Sequence, residues 1–139
     1  MFPASADPVI ATPAVEVTAE TIETLVSTGG YTHPLFQRTD GGRPLPGQGL
    51  LLLMGGLVEQ SGVLDHAIAM VEIRRVSFAA MVVAGTTVRV RLAPGASRTT
   101  SSGKTLQEWT WTAIDGADGV LATAEVLMLV NSVPHEEAP

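Results

Sequence analysis

The stretch Thr28–Gln37, TGGYTHPLFQ, brings together side chains that are suited to acid–base chemistry. His33 is one of three histidines in the chain, and a neutral imidazole can take up a proton near neutral pH. Pro34 favours an extended backbone at His33 and so fixes the direction of its side chain. Tyr31 and Thr32 offer hydroxyl groups that could orient water or bond the imidazole. The stretch predicts a catalytic loop with His33 as the base; a loop histidine packed against a partner subunit is the structural alternative.

A second candidate group is the backbone of Gly47, Gln48 and Gly49, at the predicted start of a helix. The first amides of a helix have no partners within it, so they can stabilise negative charge that develops on a carbonyl oxygen. Glycines also let a ligand approach the backbone closely. A tight turn into the helix is the plain alternative. Asp40, seven residues after His33, could orient the imidazole only if the loop brings the two together.

A short helix and a long loop must position these groups. Thr18 is a suitable N-cap for an amphipathic helix, which Gly29 and Gly30 would end. The segment 32–48 follows, contains three prolines and shows no helical or strand period. Loops of this length inside a compact domain are usually functional or disordered.

A second helix is predicted at Gly49–Ser61. It is apolar on every side from Leu50 to Val58, a pattern that indicates a buried helix. Gly55 and Gly56 each cost about 1 kcal/mol of helix stability relative to alanine. They predict that a neighbouring element packs very close to the helix there.

Four strands are predicted in the rest of the chain, at Ile68–Phe78, Thr86–Leu92, Leu106–Ile114 and Val120–Val130. The segment APGASRTTSSGK between the second and third predicts a polar, mobile hairpin tip. This order of elements indicates an α+β fold, a curled antiparallel sheet wrapped around one long buried helix. We expect a single domain at 15–131, an irregular arm at 1–14 and a tail at 132–139.

Composition narrows the classes of protein to which the chain could belong. The chain has 139 residues, of which 45% are hydrophobic and 16% charged, so part of its surface is expected to be buried against another copy. A net charge of −6 without a basic cluster disfavours nucleic-acid binding. The absence of cysteine excludes disulfides, zinc–thiolate sites and cysteine nucleophiles. The longest apolar run is too short to span a membrane and no secretory signal is visible, so a cytoplasmic protein is expected.

Three segments together resemble the hot-dog fold and, within it, the MaoC-like (R)-specific enoyl-CoA hydratases and dehydratases. They are PLPGQGLLLLMGGLVEQSG, VEIRRVSFAAMVVAGTTVRVRL and GVLATAEVLMLV. In that family a Pro–Gly-bearing loop leads into the central helix, and a strand ends in Phe before a turn ending in Gly-Thr-Thr. Phe78 and Val83–Thr87 match the latter, and the likeness extends over roughly Val15 to Val130.

The resemblance implies a lyase that adds water across the 2,3 double bond of an acyl thioester, or removes water to form that bond. The acyl group would be carried on coenzyme A or acyl carrier protein, in sites at the interface of a homodimer or higher homo-oligomer. No metal or redox cofactor is implied. Arg74, Arg75, Arg89 and Arg91 could contact the carrier's phosphates, although salt bridges on a sheet face are the simpler reading.

The chain departs from the family at the catalytic motif. Thr28-Gly29 matches the start of the signature, and Pro34-Leu35 matches its Pro–apolar pair. Gly30 stands where the family has its catalytic Asp, and Phe36 stands where it has its catalytic His. The resemblance therefore implies a dehydratase or hydratase with a rebuilt site, in which His33 takes over the base.

In this interpretation Tyr31 and Thr32 assist the base, while Phe36 and the backbone at Gly47–Gly49 bind the substrate. Two other functions stay open. A thioesterase of the same fold would use Glu59 or, less directly, Asp40 to activate water. A catalytically inactive hot-dog subunit would instead complete the site of an active partner.

Overall fold

The computed structural model describes residues 9–131. The predicted tail 132–139 and the first eight residues of the predicted arm lie outside the described residues. In chain order the elements are β1 (Ile10–Ala11), β2 (Val15–Glu16), α1 (Ala19–Gly29), a 3₁₀ helix (Pro34–Gln37), α2 (Gly47–Gln60), β3 (Ala67–Phe78), β4 (Thr87–Thr99), β5 (Thr105–Ile114) and β6 (Val120–Val130). Within this part of the chain, no helix is long and apolar enough to cross a membrane.

The strands form one antiparallel sheet in the order β1-β4-β5-β6-β3, and β2 also pairs with β4. Consecutive pairing of β4, β5 and β6 follows from the two short turns that join them, since antiparallel strands need only a tight connection. β3 reaches the far edge by pairing with β6. The α+β fold class and the predicted strand Val120–Val130 are confirmed.

The core lies between the sheet and α2. Alternation along β4 places Val88, Val90 and Leu92 at 0% exposure, on the face that looks towards the helix. From α2, Leu50 and Met54 pack into the same cluster. The core is built mainly from aliphatic side chains, together with Trp111, as the low aromatic content predicts.

The first helix is capped as predicted. The hydroxyl of Thr18 accepts a hydrogen bond from the amide of Thr21 at 3.1 Å. Gly30 closes the helix with φ 74°, a left-handed conformation that glycine adopts without strain. An ion pair of 2.8 Å between Glu23 and Arg43 then ties α1 to the loop that precedes α2. The Ser27 hydroxyl and Arg43 together lower the pKa of Glu23.

Three sequence predictions about local structure are wrong in detail. The supposed mobile hairpin tip is mostly strand, because β4 continues to Thr99 through a register shift between Pro94 and Ser97. Helix α2 begins at Gly47, two residues earlier than predicted, after Pro46 with φ −58°. The arm contains a strand, β1, that pairs with β4.

Helix α2 is also not buried on every side. Leu52 is 63% exposed, and a Cβ added at Gly55 or Gly56 would meet no atom within 4 Å. The close packing that these glycines predicted is therefore absent within the described chain. The helix is apolar all round, but one of its faces looks onto open space beside β3.

Candidate functional site

The motif loop folds compactly after α1. Tyr31 packs edge-on against Phe36 with ring centroids 5.1 Å apart. The side-chain amide of Gln37 donates to the Tyr31 carbonyl at 2.7 Å. These contacts join the two ends of the stretch, because the 3₁₀ helix turns Phe36 and Gln37 back towards Tyr31. The loop thus has a defined conformation despite its irregular sequence.

His33 caps the 3₁₀ helix. Its Nδ1 accepts a hydrogen bond from the amide of Leu35 at 3.0 Å, so in the neutral imidazole the proton sits on Nε2. In this tautomer Nε2 is a donor. To act as a base at Nε2, the imidazole must first move its proton to Nδ1 and release Leu35. That change costs one exposed hydrogen bond, about 0.5–1.5 kcal/mol, which is small beside a catalytic barrier.

Tyr31 connects the motif loop to α2. Its hydroxyl donates a hydrogen bond to Oε1 of Gln48, seventeen residues later, at 3.1 Å. Gln48 is the second residue of α2. Of the predicted catalytic residues, Tyr31 is therefore the one with a described side-chain bond to the predicted substrate-binding residues. The exposed Thr32 has no hydrogen-bond partner in the part of the chain that the structure describes.

The electrostatics of the amino end of α2 favour a ligand atom that carries negative charge. Pro46 occupies the N-cap and supplies no side-chain acceptor, while its carbonyl takes the amide of Leu50 at 3.0 Å. Among the described residues no side chain accepts from the amides of Gly47, Gln48 and Gly49, and these carry the positive end of the helix dipole.

Gly47 packs closely against the ring of Phe78, which would have to shift to admit a larger residue. An added Cβ would lie 2.9 Å from Cζ of Phe78, so the ring at the end of β3 covers one side of the first helical turn. At Gly49 the corresponding contacts are 3.2 Å, to Leu25 and Leu45. The glycines thus serve close approach by neighbouring apolar side chains within the chain.

A cavity of about 690 Å³ lies between α2 and β3. It follows one stripe of the helix from Gln48 past Leu52, Gly55 and Gly56 to Glu59. Its opposite wall and floor come from β3, β5 and β6 and include Ile68, Met70, Ile73, Trp111 and Met128. The lining is mostly apolar, with polar groups at its two ends, and the volume is that of a small-molecule site.

Two smaller cavities flank the start of α2. One, of about 220 Å³, lies beside Tyr31 and shares Gln48 and Leu52 with the large cavity. The other, of about 200 Å³, is apolar and lies between Phe36, Phe78 and the residues around Gly47. Residues of the first turn of α2 line all three cavities: Gln48 lines the large one and the one beside Tyr31, and Gly47 lines the apolar one.

The two acidic candidates lie apart from His33. The Asp40 carboxylate lies 2.7 Å from the Arg38 guanidinium and accepts a hydrogen bond from the amide of Gly42 at 3.0 Å. Neither of these described partners is His33. Arg38, followed by the Gly42 amide, lowers the pKa of Asp40. Glu59 is exposed in the last turn of α2, at the opposite end of the large cavity from Gln48.

Three of the four strand arginines, Arg74, Arg89 and Arg91, form salt bridges. Arg74 bonds to Glu72 and Glu108, and Arg89 lies 2.8 Å from Asp118. Arg91 lies 3.4 Å from the same carboxylate. These contacts fit the simpler reading of the arginines as surface ion pairs on the sheet.

Sequence reasoning missed two parts of the site. The side chain of Gln48 was overlooked because only its backbone had been considered. Trp111, which lies in the floor of the large cavity, was not among the predicted site residues. Its Nε1 is buried without a hydrogen-bond partner in the described structure. The signal that could have identified it is the strand alternation itself.

No protein-family model matches the chain, and no curated protein matches it by sequence. Solved structures do. A monoamine oxidase regulatory protein from Archaeoglobus fulgius has a TM-score of 0.80 at 19% identity over 91% of this chain and 90% of that one. A MaoC-like dehydratase from Rhodospirillum rubrum has a TM-score of 0.77 at 14% identity over 91% and 92%. An (R)-hydratase from A. caviae involved in PHA biosynthesis has a TM-score of 0.70 at 16% identity over 92% and 99%. At these identities the likeness shows the fold, which is the hot-dog fold.

Proposed function

We propose that this hot-dog chain is a MaoC-like hydratase or dehydratase that acts on an acyl thioester of coenzyme A or acyl carrier protein, or on a related biosynthetic acyl intermediate. The observation that carries the proposal is the hydrogen bond from Tyr31 to Gln48. It holds the motif loop against the amino end of α2, whose residues line three cavities. The fold's likeness to a MaoC-like dehydratase and an (R)-hydratase supports the same reaction class.

In the proposed reaction the thioester carbonyl faces the free amides at Gly47–Gly49. Water adds to C3 of the enoyl group as His33 takes one of its protons at Nε2. The electron pair of the double bond moves to the carbonyl oxygen, and the amides stabilise the resulting enolate. The imidazolium of His33 then returns its proton to C2, which completes hydration and restores the base, and the reverse sequence is dehydration. Phe36 and the apolar cavities would hold the acyl chain, which needs no charged partner.

The test is an assay of crotonyl-CoA hydration, followed by loss of the enoyl absorbance, with CoA release measured in parallel. Hydration by the purified wild-type protein supports the proposal. CoA release without hydration would replace it with a thioesterase. If neither hydration nor CoA release is detected and a second hot-dog chain co-purifies, the protein is an inactive subunit.

The thioesterase remains the second candidate because Glu59 lines the same cavity as Gln48. An exposed carboxylate at the mouth of an apolar cavity can act as a base towards water. If CoA release is the activity found, Glu59→Gln is expected to abolish it, whereas Asp40→Asn is expected to leave it unchanged. Asp40 is the matched control because its carboxylate already forms an ion pair with Arg38.

The proposed site is completed by a homodimer or higher homo-oligomer. Five large apolar side chains of β3 are exposed, and four of them, Ile68, Met70, Val71 and Ile73, lie close together in its first half. Together with Leu52 on α2 they surround the large cavity or lie beside it. Apolar patches of this extent usually mark an interface. A second copy covering this face would close the cavity.

Ile68→Lys is expected to convert the oligomer to a monomer, because it places a charge in the proposed interface. Val120→Lys is the matched control: both side chains are 48% exposed, but Val120 lies at the start of β6, away from Ile68. Sedimentation equilibrium gives the mass of each variant. A monomeric wild type, or equal dissociation in both variants, would contradict this interface.

A further inference from the structure

Gln48 is held by one end of its side-chain amide. Its Oε1 accepts the Tyr31 hydroxyl, and its Nε2 makes no hydrogen bond among the described residues. A carboxamide nitrogen carries two donor hydrogens. Fixing the oxygen therefore fixes the direction of two unused donors. The residue is exposed, so a ligand can reach them.

The position of Gln48 gives these donors a target. Its side chain lines both the small cavity beside Tyr31 and the large cavity along α2. It is the polar residue at this end of the large cavity, where the helix continues as Leu51, Leu52 and two glycines. A chain bound along this stripe would leave its polar end group next to Gln48.

We propose that the side chain of Gln48 donates a hydrogen bond from Nε2 to the carbonyl oxygen of the bound acyl thioester, and that Tyr31 is the residue that orients it. The inference rests on the proposed function and extends it to a specific substrate contact. As C3 is attacked, negative charge grows on the carbonyl oxygen. A donor that is already aimed at this oxygen binds the transition state more tightly than the ground state.

A neutral amide suits this role. It polarises the carbonyl without being consumed, and its charge does not change with pH. A carboxylate at the same position would present negative charge to the forming enolate. The two residues are thus separable: Gln48 touches the substrate, whereas Tyr31 acts only by holding Oε1.

The experiment uses 4-dimethylaminocinnamoyl-CoA, an enoyl thioester whose absorption moves to longer wavelength when its carbonyl is polarised. Gln48→Met, Gln48→Glu and Tyr31→Phe are compared with wild type. Gln48→Met keeps the length and helix propensity of the side chain and is expected to lose most of the wavelength shift. Its kcat for crotonyl-CoA is expected to fall on the order of 100-fold with little change in KM.

Tyr31→Phe keeps the ring contact with Phe36 and is expected to reduce the wavelength shift and lower kcat by about threefold to tenfold. In Gln48→Glu, kcat is expected to fall at least as far as in Gln48→Met. Equal wavelength shifts in wild type and Gln48→Met would overturn the inference and leave the proposed function intact. Failure of the wild-type protein to bind the probe would overturn both. Circular dichroism of each variant checks that the fold is retained.

Discussion

Replacement of His33 by asparagine is expected to lower kcat for crotonyl-CoA hydration by roughly 10²–10⁴-fold while leaving the fold as stable as in the wild type. Asparagine is among the best capping residues, and its side-chain oxygen can accept the Leu35 amide in place of Nδ1. It cannot act as a base at neutral pH. His33→Asn therefore removes the proposed chemistry and keeps the local structure.

The matched variant is His33→Ala, which removes both the imidazole and the cap. We expect it to match His33→Asn in kcat and to be about 0.5–1.5 kcal/mol less stable, the net value of one hydrogen bond. Steady-state kinetics and urea unfolding measure the two effects separately. Full activity in His33→Asn would show that His33 only caps the 3₁₀ helix, and the proposed base would be wrong.

Trp111→Ala is expected to destabilise the chain by about 3–5 kcal/mol, the range for truncating a buried aromatic side chain. Trp111 is 1% exposed and is the largest side chain in the core. It lies in the middle of the sheet, paired with Leu92 on β4 and Ala124 on β6. Thermal unfolding should show a fall in Tm of roughly 10–15 °C for a chain of this length.

Trp111→Phe is expected to cost less than half as much. A buried donor without a partner destabilises the native state by about 1–3 kcal/mol, and Nε1 of Trp111 is such a donor. Phenylalanine keeps an aromatic ring in the core and removes that donor, so the relief offsets part of the lost packing. A loss in Trp111→Phe as large as in Trp111→Ala would mean that Nε1 is bonded in solution.

Much of the fold was predictable because it depends on short-range patterns. The N-cap at Thr18, the left-handed Gly30 and the alternation of β4 each follow from the chemistry of a few neighbouring residues. The exposed face of α2 could not be predicted, because an apolar residue such as Leu52 does not reveal which chain covers it. The continuation of β4 through Pro94 was hidden by turn-forming residues that a register shift accommodates.

The residues of the candidate site were more predictable from the sequence than their arrangement in space. The stretch around His33 and the start of α2 stood out by composition. The bond from Tyr31 to Gln48 spans seventeen residues and depends on how the intervening loop closes, which no local pattern encodes. The cap made by His33 is local and resembles an asparagine turn, but histidine is seldom considered for that role.

Both borders of the sheet are interrupted, which limits how copies of this chain can stack. On one border, β1 and β2 cover the first half of β4, while Pro94 and a register shift interrupt its second half. The opposite border is the twelve-residue strand β3, whose pairing with β6 contains three register shifts. A long, regular strand at a border recruits further strands, whereas a proline or an irregularity discourages it. Neither border therefore offers a long regular template for open-ended strand addition, and concentrated solutions should yield discrete particles in place of fibrils.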